Sequence, residues 1–97
     1  MERGRIEEVI ITVFKDYLEE QDIEGEVNSD TILFGSESLV DSMGLVNVVI
    51  EVESYFQGQG YGISLTSEGG MDLKSSPFRT VTTLTDYIAQ LIDNTSG

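Results

Sequence analysis

A chain of 97 residues, 39 % of them apolar, has material for one modest core, so a single domain over residues 1–97 is expected and a disordered acidic tail is excluded. Cys and His are both absent, which removes disulfides, Cys/His zinc sites and Ser–His or Cys–His nucleophile pairs, and counts against an enzyme. Eighteen acids against five bases give a formal net charge of -13. All five bases lie near the two ends, and from Asp16 to Leu73 there are thirteen acids and no Lys or Arg. Nucleic acid and anionic membrane surfaces are thereby disfavoured, and basic patches on other proteins are favoured.

No apolar run approaches the roughly 20 residues that span a bilayer, so no stable membrane insertion is expected. The opening residues, Met-Glu-Arg-Gly-Arg-Ile-Glu-Glu, lack an apolar signal core. A cytoplasmic monomer is the expectation.

The first element is a helix. Ile6, Val9, Ile10, Val13, Phe14, Tyr17 and Leu18 recur at three- and four-residue steps, which places them on one face. Glu7 and Glu8 are expected in its first turn, where they favour the positive end of the dipole. Its end is expected near Gln21, with Gly25 beyond it. A long connection from about Asp22 to Asp41 carries Ile23, Val27, Ile32, Leu33 and Phe34, of which Leu33 and Phe34 are expected to be buried anchors. A second helix should begin at Ser42, since Asp41 and Ser42 are both cap types and Leu45, Val48, Val49, Val52 and Phe56 then follow at helical spacing. Its valines are middling helix formers, so packing must hold it helical. Gln57-Gly58-Gln59-Gly60-Tyr61-Gly62 marks its end.

The Gly- and Ser-rich stretch from Gly58 to Ser76 offers Ile63, Leu65, Met71 and Leu73 as anchors. Pro77 can open a short helical turn. The last helix is expected to be capped by Thr80 and to bury Val81, Leu84, Ile88 and Leu91. The fold class predicted is all-α: a small antiparallel bundle of three main helices plus a short fourth, with long loops.

Three weaker signals fall away. Acids or Asn alternate from Asp22 to Asp30 as in a calcium loop, but Val27 stands where Gly is needed and Leu33 where the final Glu is needed. Glycines 58, 60 and 62 lack the spacing and the Lys-Ser/Thr of a phosphate-binding loop. Asn94-Thr95-Ser96 is a glycosylation triplet without a secretion signal beside it.

The segment that carries chemistry is Asp41-Ser42 at the head of the valine-rich helix. Taken alone, such a pair is a cap worth about 0.5–2 kcal/mol. A phosphodiester on Ser42 would gain about 0.3–1 kcal/mol from the helix dipole. The wider stretch from Leu33 to Phe56 resembles the prosthetic-group helix of the acyl carrier protein family. Phe56 followed by Ile63-Ser64-Leu65, and Thr80-Val81 followed by Asp86-Tyr87-Ile88, resemble two further parts of that family's pattern. With the first helix, the resemblance covers most of the chain.

This resemblance implies an acyl-carrier-like bundle with 4′-phosphopantetheine from coenzyme A on Ser42 and Asp41 as its acidic neighbour. It implies an exposed helix side of Met43, Val46, Asn47, Ile50 and Glu53 that meets partner enzymes. Those partners would be a phosphopantetheinyl transferase, an acyl- or aminoacyl-loading ligase, and acyl-accepting enzymes with basic patches. The chain itself would be a non-catalytic carrier. Met43 replaces the leucine common after the serine, and Gly44 and Asn47 stand where many carriers have acids. Asp41-Ser42-Met43-Gly44 is similar to D-alanyl carrier proteins, which leaves an aminoacyl cargo open beside an acyl one. An acidic helical adaptor without a prosthetic group is the reading from a different class.

Overall fold

The computed structural model describes residues 2–35, 38–65 and 78–95, without the side chains of Ser42 and Thr95. Among these residues there are three helices, α1 (Arg3–Glu20), α2 (Ser42–Gly58) and α3 (Val81–Thr95), and no strand. The all-α class is thus seen at this level. The short helical turn expected at Pro77, and the anchors expected at Met71 and Leu73, lie outside the described residues.

Helix α1 buries Ile6, Ile10, Phe14 and Leu18 on a four-residue stripe, with Val9, Val13 and Tyr17 packed along its edge. It begins at Arg3, so Glu7 and Glu8 fall in the second turn, contrary to the expectation that they occupy the first. Arg3 and Arg5 stand in that first turn, where the dipole disfavours cations. Arg3 is compensated from elsewhere: its Nε donates to Asp86 Oδ1 of α3, and this contact holds the exposed guanidinium above its ordinary pKa.

Both α1 and α2 end in the same hydrogen-bonded device. After α1, Ile23 N–H returns to Leu18 C=O (2.9 Å) and Asp22 N–H to Glu19 C=O (3.1 Å), with Asp22 in the left-handed region at φ 58°. After α2, Tyr61 N–H returns to Phe56 C=O (3.0 Å) and Gly60 N–H to Gln57 C=O (3.1 Å), with Gly60 at φ 95°. This is the Schellman arrangement, which satisfies carbonyls that a helix end leaves unpaired. The terminator of α1 is therefore Asp22; Gly25 lies farther on and has Leu39 packed against it.

The long α1–α2 connection is fastened to the head of α3. Leu33 N–H donates to Arg79 C=O (2.7 Å), Val81 N–H to Thr31 C=O (3.1 Å) and Thr82 N–H to Ser29 C=O (3.0 Å), around an isolated antiparallel bridge between Ile32 and Thr80. Thr82 Oγ1 adds a bond to Ser29 C=O (2.7 Å). The first two N–H groups of α3, which a helix start leaves without internal partners, are thus sealed by loop carbonyls. Thr80 caps the third: its Oγ1 accepts from Thr83 N–H (3.2 Å) while Thr83 Oγ1 accepts from Thr80 N–H (2.9 Å), a capping box with Thr in the role usually filled by Glu.

Helix α1 packs against both α2 and α3, whose Cα atoms do not come within 8 Å of each other among the described residues. Leu45, Val48, Val49, Val52 and Phe56 of α2 and Val81, Leu84 and Ile88 of α3 are fully buried. Val27, Leu33, Ile63, Leu65 and Phe78 from the connections complete the same cluster. Two expected core positions differ. Phe34 is only half-buried beside the fully buried Leu33. In α3 Ile92, four residues beyond Ile88, takes the core place expected of Leu91, which sits half-buried at the edge. Thr85 is buried on that helix because its Oγ1 donates to Val81 C=O one turn back (2.8 Å). No described helix is long and apolar enough to cross a membrane.

Candidate functional site: the head and outer face of α2

The approach to α2 is set by side chain to backbone bonds. Ser38 Oγ donates to Leu33 C=O (2.9 Å) and accepts from Val40 N–H (3.2 Å), while Ser38 N–H donates to the C=O of Gly35 (3.1 Å), itself at φ 123°. Leu39 and Val40 then pack against the core. Asp41 has extended dihedrals (φ −81°, ψ −178°), and its carboxylate accepts from Gly44 N–H at 2.8 Å while its carbonyl accepts from Leu45 N–H at 3.0 Å. That is the geometry of an N-cap, and it makes Ser42 the first residue of the helix. The positive end of α2 is therefore met by its own Asp41 side chain, whereas that of α3 is also closed by carbonyls from the loop.

The residues on either side of Ser42 are open to water: Asp41 is exposed, and Met43 is 76 % exposed, the most open of the large apolar side chains described. Gly44 is different. It is buried, and a Cβ there would lie 2.9 Å from Val40 Cβ and 3.0 Å from Tyr17 Oη. Gly44 therefore belongs to the α1–α2 contact and not to an outer acidic face thinned by its lack of charge.

Of the remaining outer residues, Asn47 is exposed, Ile50 is 43 % exposed and Val46 is half-buried. Met43, Val46 and Ile50 follow steps of three and four, which aligns them on the helix surface. Glu53, three residues beyond Ile50, is half-buried, and its Oε2 accepts the N–H of Leu65 at 2.5 Å. One turn on, Gln57 Nε2 donates to Ile63 C=O at 3.0 Å. These two bonds lay the Ile63–Leu65 segment along α2 with both apolar side chains buried. Sequence spacing carries no signal for the Glu53–Leu65 bond, because its partners are twelve residues apart across a turn.

The charge of this region is simple. Between Ser42 and Ile50 there is no ionisable side chain, and Glu51 and Glu53 follow. An anion held near Ser42 would meet the positive end of the helix, and the sequence supplies no base between Asp16 and Leu73. No group of three or more Asp and Glu with metal-holding geometry occurs among the described residues. A groove of about 220 Å³ lies between α1 and the far part of α2, lined by Arg5, Glu8, Val9, Thr12, Val13 and Tyr55. Tyr55 is thirteen residues from Ser42, roughly 20 Å along the helix.

Comparison of the chain with protein-family models, with curated proteins and with solved structures finds no match.

Proposed function

We propose that this chain is a carrier protein of the acyl carrier type, in which a 4′-phosphopantetheine arm on Ser42 holds an acyl group as a thioester and presents it to partner enzymes. The observation that carries this reading is the start of α2 at Ser42, capped by Asp41 and flanked by two exposed residues. Attachment forms a phosphodiester at Ser42 and breaks the pyrophosphate of coenzyme A, releasing adenosine 3′,5′-bisphosphate as the hydroxyl proton departs. The chain then acts as a substrate of other enzymes and not as a catalyst. A cytoplasmic monomer with the three helices and a short fourth in an antiparallel bundle belongs to the same proposal.

The residues present fit the group. A phosphodiester on the first residue of a helix lies where dipole and N–H groups tolerate negative charge. Asp41 brings a second negative charge close by, but both would be solvated, which screens their repulsion. The arm supplies the thiol that forms the thioester, and the chain contains no Cys to compete with it. Asp41 holds the first turn in register through Gly44 N–H, and Met43, Val46, Asn47 and Ile50 offer the partner an uncharged surface next to the attachment point.

On the cargo, the D-alanyl resemblance rests on the tetrad Asp41-Ser42-Met43-Gly44. Its glycine is accounted for by Tyr17 and Val40 packing against it, so that residue says nothing about what the arm carries. The acyl reading is retained, and loading by fatty-acyl against aminoacyl ligases separates the two.

Incubation with coenzyme A and a phosphopantetheinyl transferase of broad acceptor range tests the proposal. One arm should add to the wild type and none to Ser42→Ala. Failure of a transferase that is active on a control carrier, or equal addition to both proteins, contradicts it.

A further inference from the structure

Peroxides attack the sulfur atoms of a protein in preference to its other groups, and this chain holds three, on Met1, Met43 and Met71, with no Cys to intercept an oxidant. Met43 is 76 % exposed, which leaves its thioether open to solutes. It also follows directly on Ser42, the first residue of α2. Any enzyme that acts on the Ser42 hydroxyl must therefore accommodate the Met43 side chain.

That thioether is no part of what holds the fold. The head of α2 is fixed by Asp41, whose carboxylate accepts from Gly44 N–H at 2.8 Å and whose carbonyl accepts from Leu45 N–H at 3.0 Å. Met43 lies outside the buried cluster and outside the half-buried residues packed against it. An oxygen added to this sulfur meets solvent and displaces no neighbour, so the fold survives the change. The change falls on recognition instead. A thioether is apolar and adapts its shape to a partner, whereas a sulfoxide is polar and chiral, and its oxygen must be desolvated wherever a partner covers it.

Resting on the carrier reading above, we infer that Met43 is a reversible oxidation site that gates the loading of Ser42: the thioether form accepts the arm, and the sulfoxide form accepts it poorly. In the forward step hydrogen peroxide gives one oxygen to the sulfur. The peroxide O–O bond breaks, an S–O bond forms, the sulfur loses two electrons and water leaves. In the reverse step a dithiol returns the two electrons through a methionine sulfoxide reductase, becoming a disulfide as the oxygen departs in water. The gate acts before the arm arrives, because a loaded Ser42 no longer has to be recognised by the transferase.

The test takes the full-length chain, shown by intact mass to carry no arm. Wild type, Met43→Leu and Met71→Leu are treated with hydrogen peroxide, which is removed before coenzyme A and a phosphopantetheinyl transferase are added. Peptide mapping should place a sulfoxide on Met43 of the wild type. Each protein is compared with its own untreated form, so the starting rates of the variants do not enter. Treatment should lower the catalytic efficiency (kcat/KM) of arm transfer about tenfold in the wild type and in Met71→Leu, and less than about twofold in Met43→Leu. Methionine sulfoxide reductases for both epimers, with dithiothreitol, should restore the wild-type rate, and the urea midpoint should not move on oxidation. An intact Met43 thioether under conditions that fully oxidise free methionine, an unchanged rate with the sulfoxide in place, an equal loss in Met43→Leu, no recovery on reduction, or a lowered urea midpoint would overturn this inference while the arm still reaches Ser42. No arm on the untreated wild type, from a transferase active on a control carrier, would overturn the carrier reading and this inference with it.

Discussion

The Tyr17 phenol of α1 closes over Gly44 in the first turn of α2, leaving a Cβ at position 44 only 3.0 Å from Tyr17 Oη and 2.9 Å from Val40 Cβ. Two helices and the residue before the cap therefore meet at a point where there is room for a hydrogen and for nothing larger. The contact fixes the head of α2 against α1, and with it the position of Ser42 two residues earlier.

Gly44→Ala should accordingly destabilise the protein even though alanine is the better helix former. Overpacking at a buried site costs about 1–3 kcal/mol against a helix gain of up to about 1 kcal/mol, for a net loss of up to about 2 kcal/mol. Gly4 of α1 is the contrast, because a Cβ added there would meet nothing within 4 Å. Gly4→Ala should stabilise by about 0.5 kcal/mol. Urea unfolding of both variants decides the signs. A stabilised Gly44→Ala would show that Tyr17 and Val40 yield without strain.

Asp22 ends α1 in the left-handed region, where a Cβ is disfavoured. Glycine adopts that conformation freely and keeps both backbone bonds of the Schellman arrangement. Asp22→Gly should raise stability by about 0.5–1 kcal/mol, read as a shift in the denaturation midpoint. A lower midpoint would mean that the Asp22 side chain supports the turn in a way its dihedral does not reveal.

Thr80 caps α3 through its hydroxyl, so Thr80→Ala should cost about 1 kcal/mol and Thr80→Ser less than about 0.5 kcal/mol. The loss should be accompanied by faster amide exchange at Thr83, whose N–H the hydroxyl accepts. Equal stability of the two variants would remove the capping role.

Leu84 is fully buried and Leu91 half-buried on the same helix. Leu84→Ala should cost roughly 2–5 kcal/mol, and Leu91→Ala less than half of the value found for Leu84→Ala. Thermal unfolding of the pair checks the ranking, and a reversed order would place Leu91 in the core after all.

Much of this arrangement is legible in the sequence because it is local. Periodicity marks the stripes of α1 and α2, residue type marks the caps at Asp41 and Thr80, and the glycines after Gln57 mark the end of α2. The choice between Leu91 and Ile92 is not legible, since they lie three and four residues beyond Ile88 and both steps continue the Val81–Leu84–Ile88 stripe. The start of α1 at Arg3 is obscured for a similar reason: its basic first turn is tolerated with the help of Asp86, eighty-three residues away. The roles of Gly44 and Glu53 are likewise set by Tyr17 and by Leu65, contacts that no pattern along one helix encodes. At the candidate site, the cap and the helix start are written in Asp41-Ser42, while the arm itself is a matter of resemblance and chemistry.

The most direct measurement is the intact mass of the protein isolated from its native host, followed by peptide mapping across Val40–Val52. The account predicts one phosphopantetheine arm, free or acylated, on the peptide containing Ser42. A chain found wholly unmodified, or bearing the arm at another residue, would contradict it.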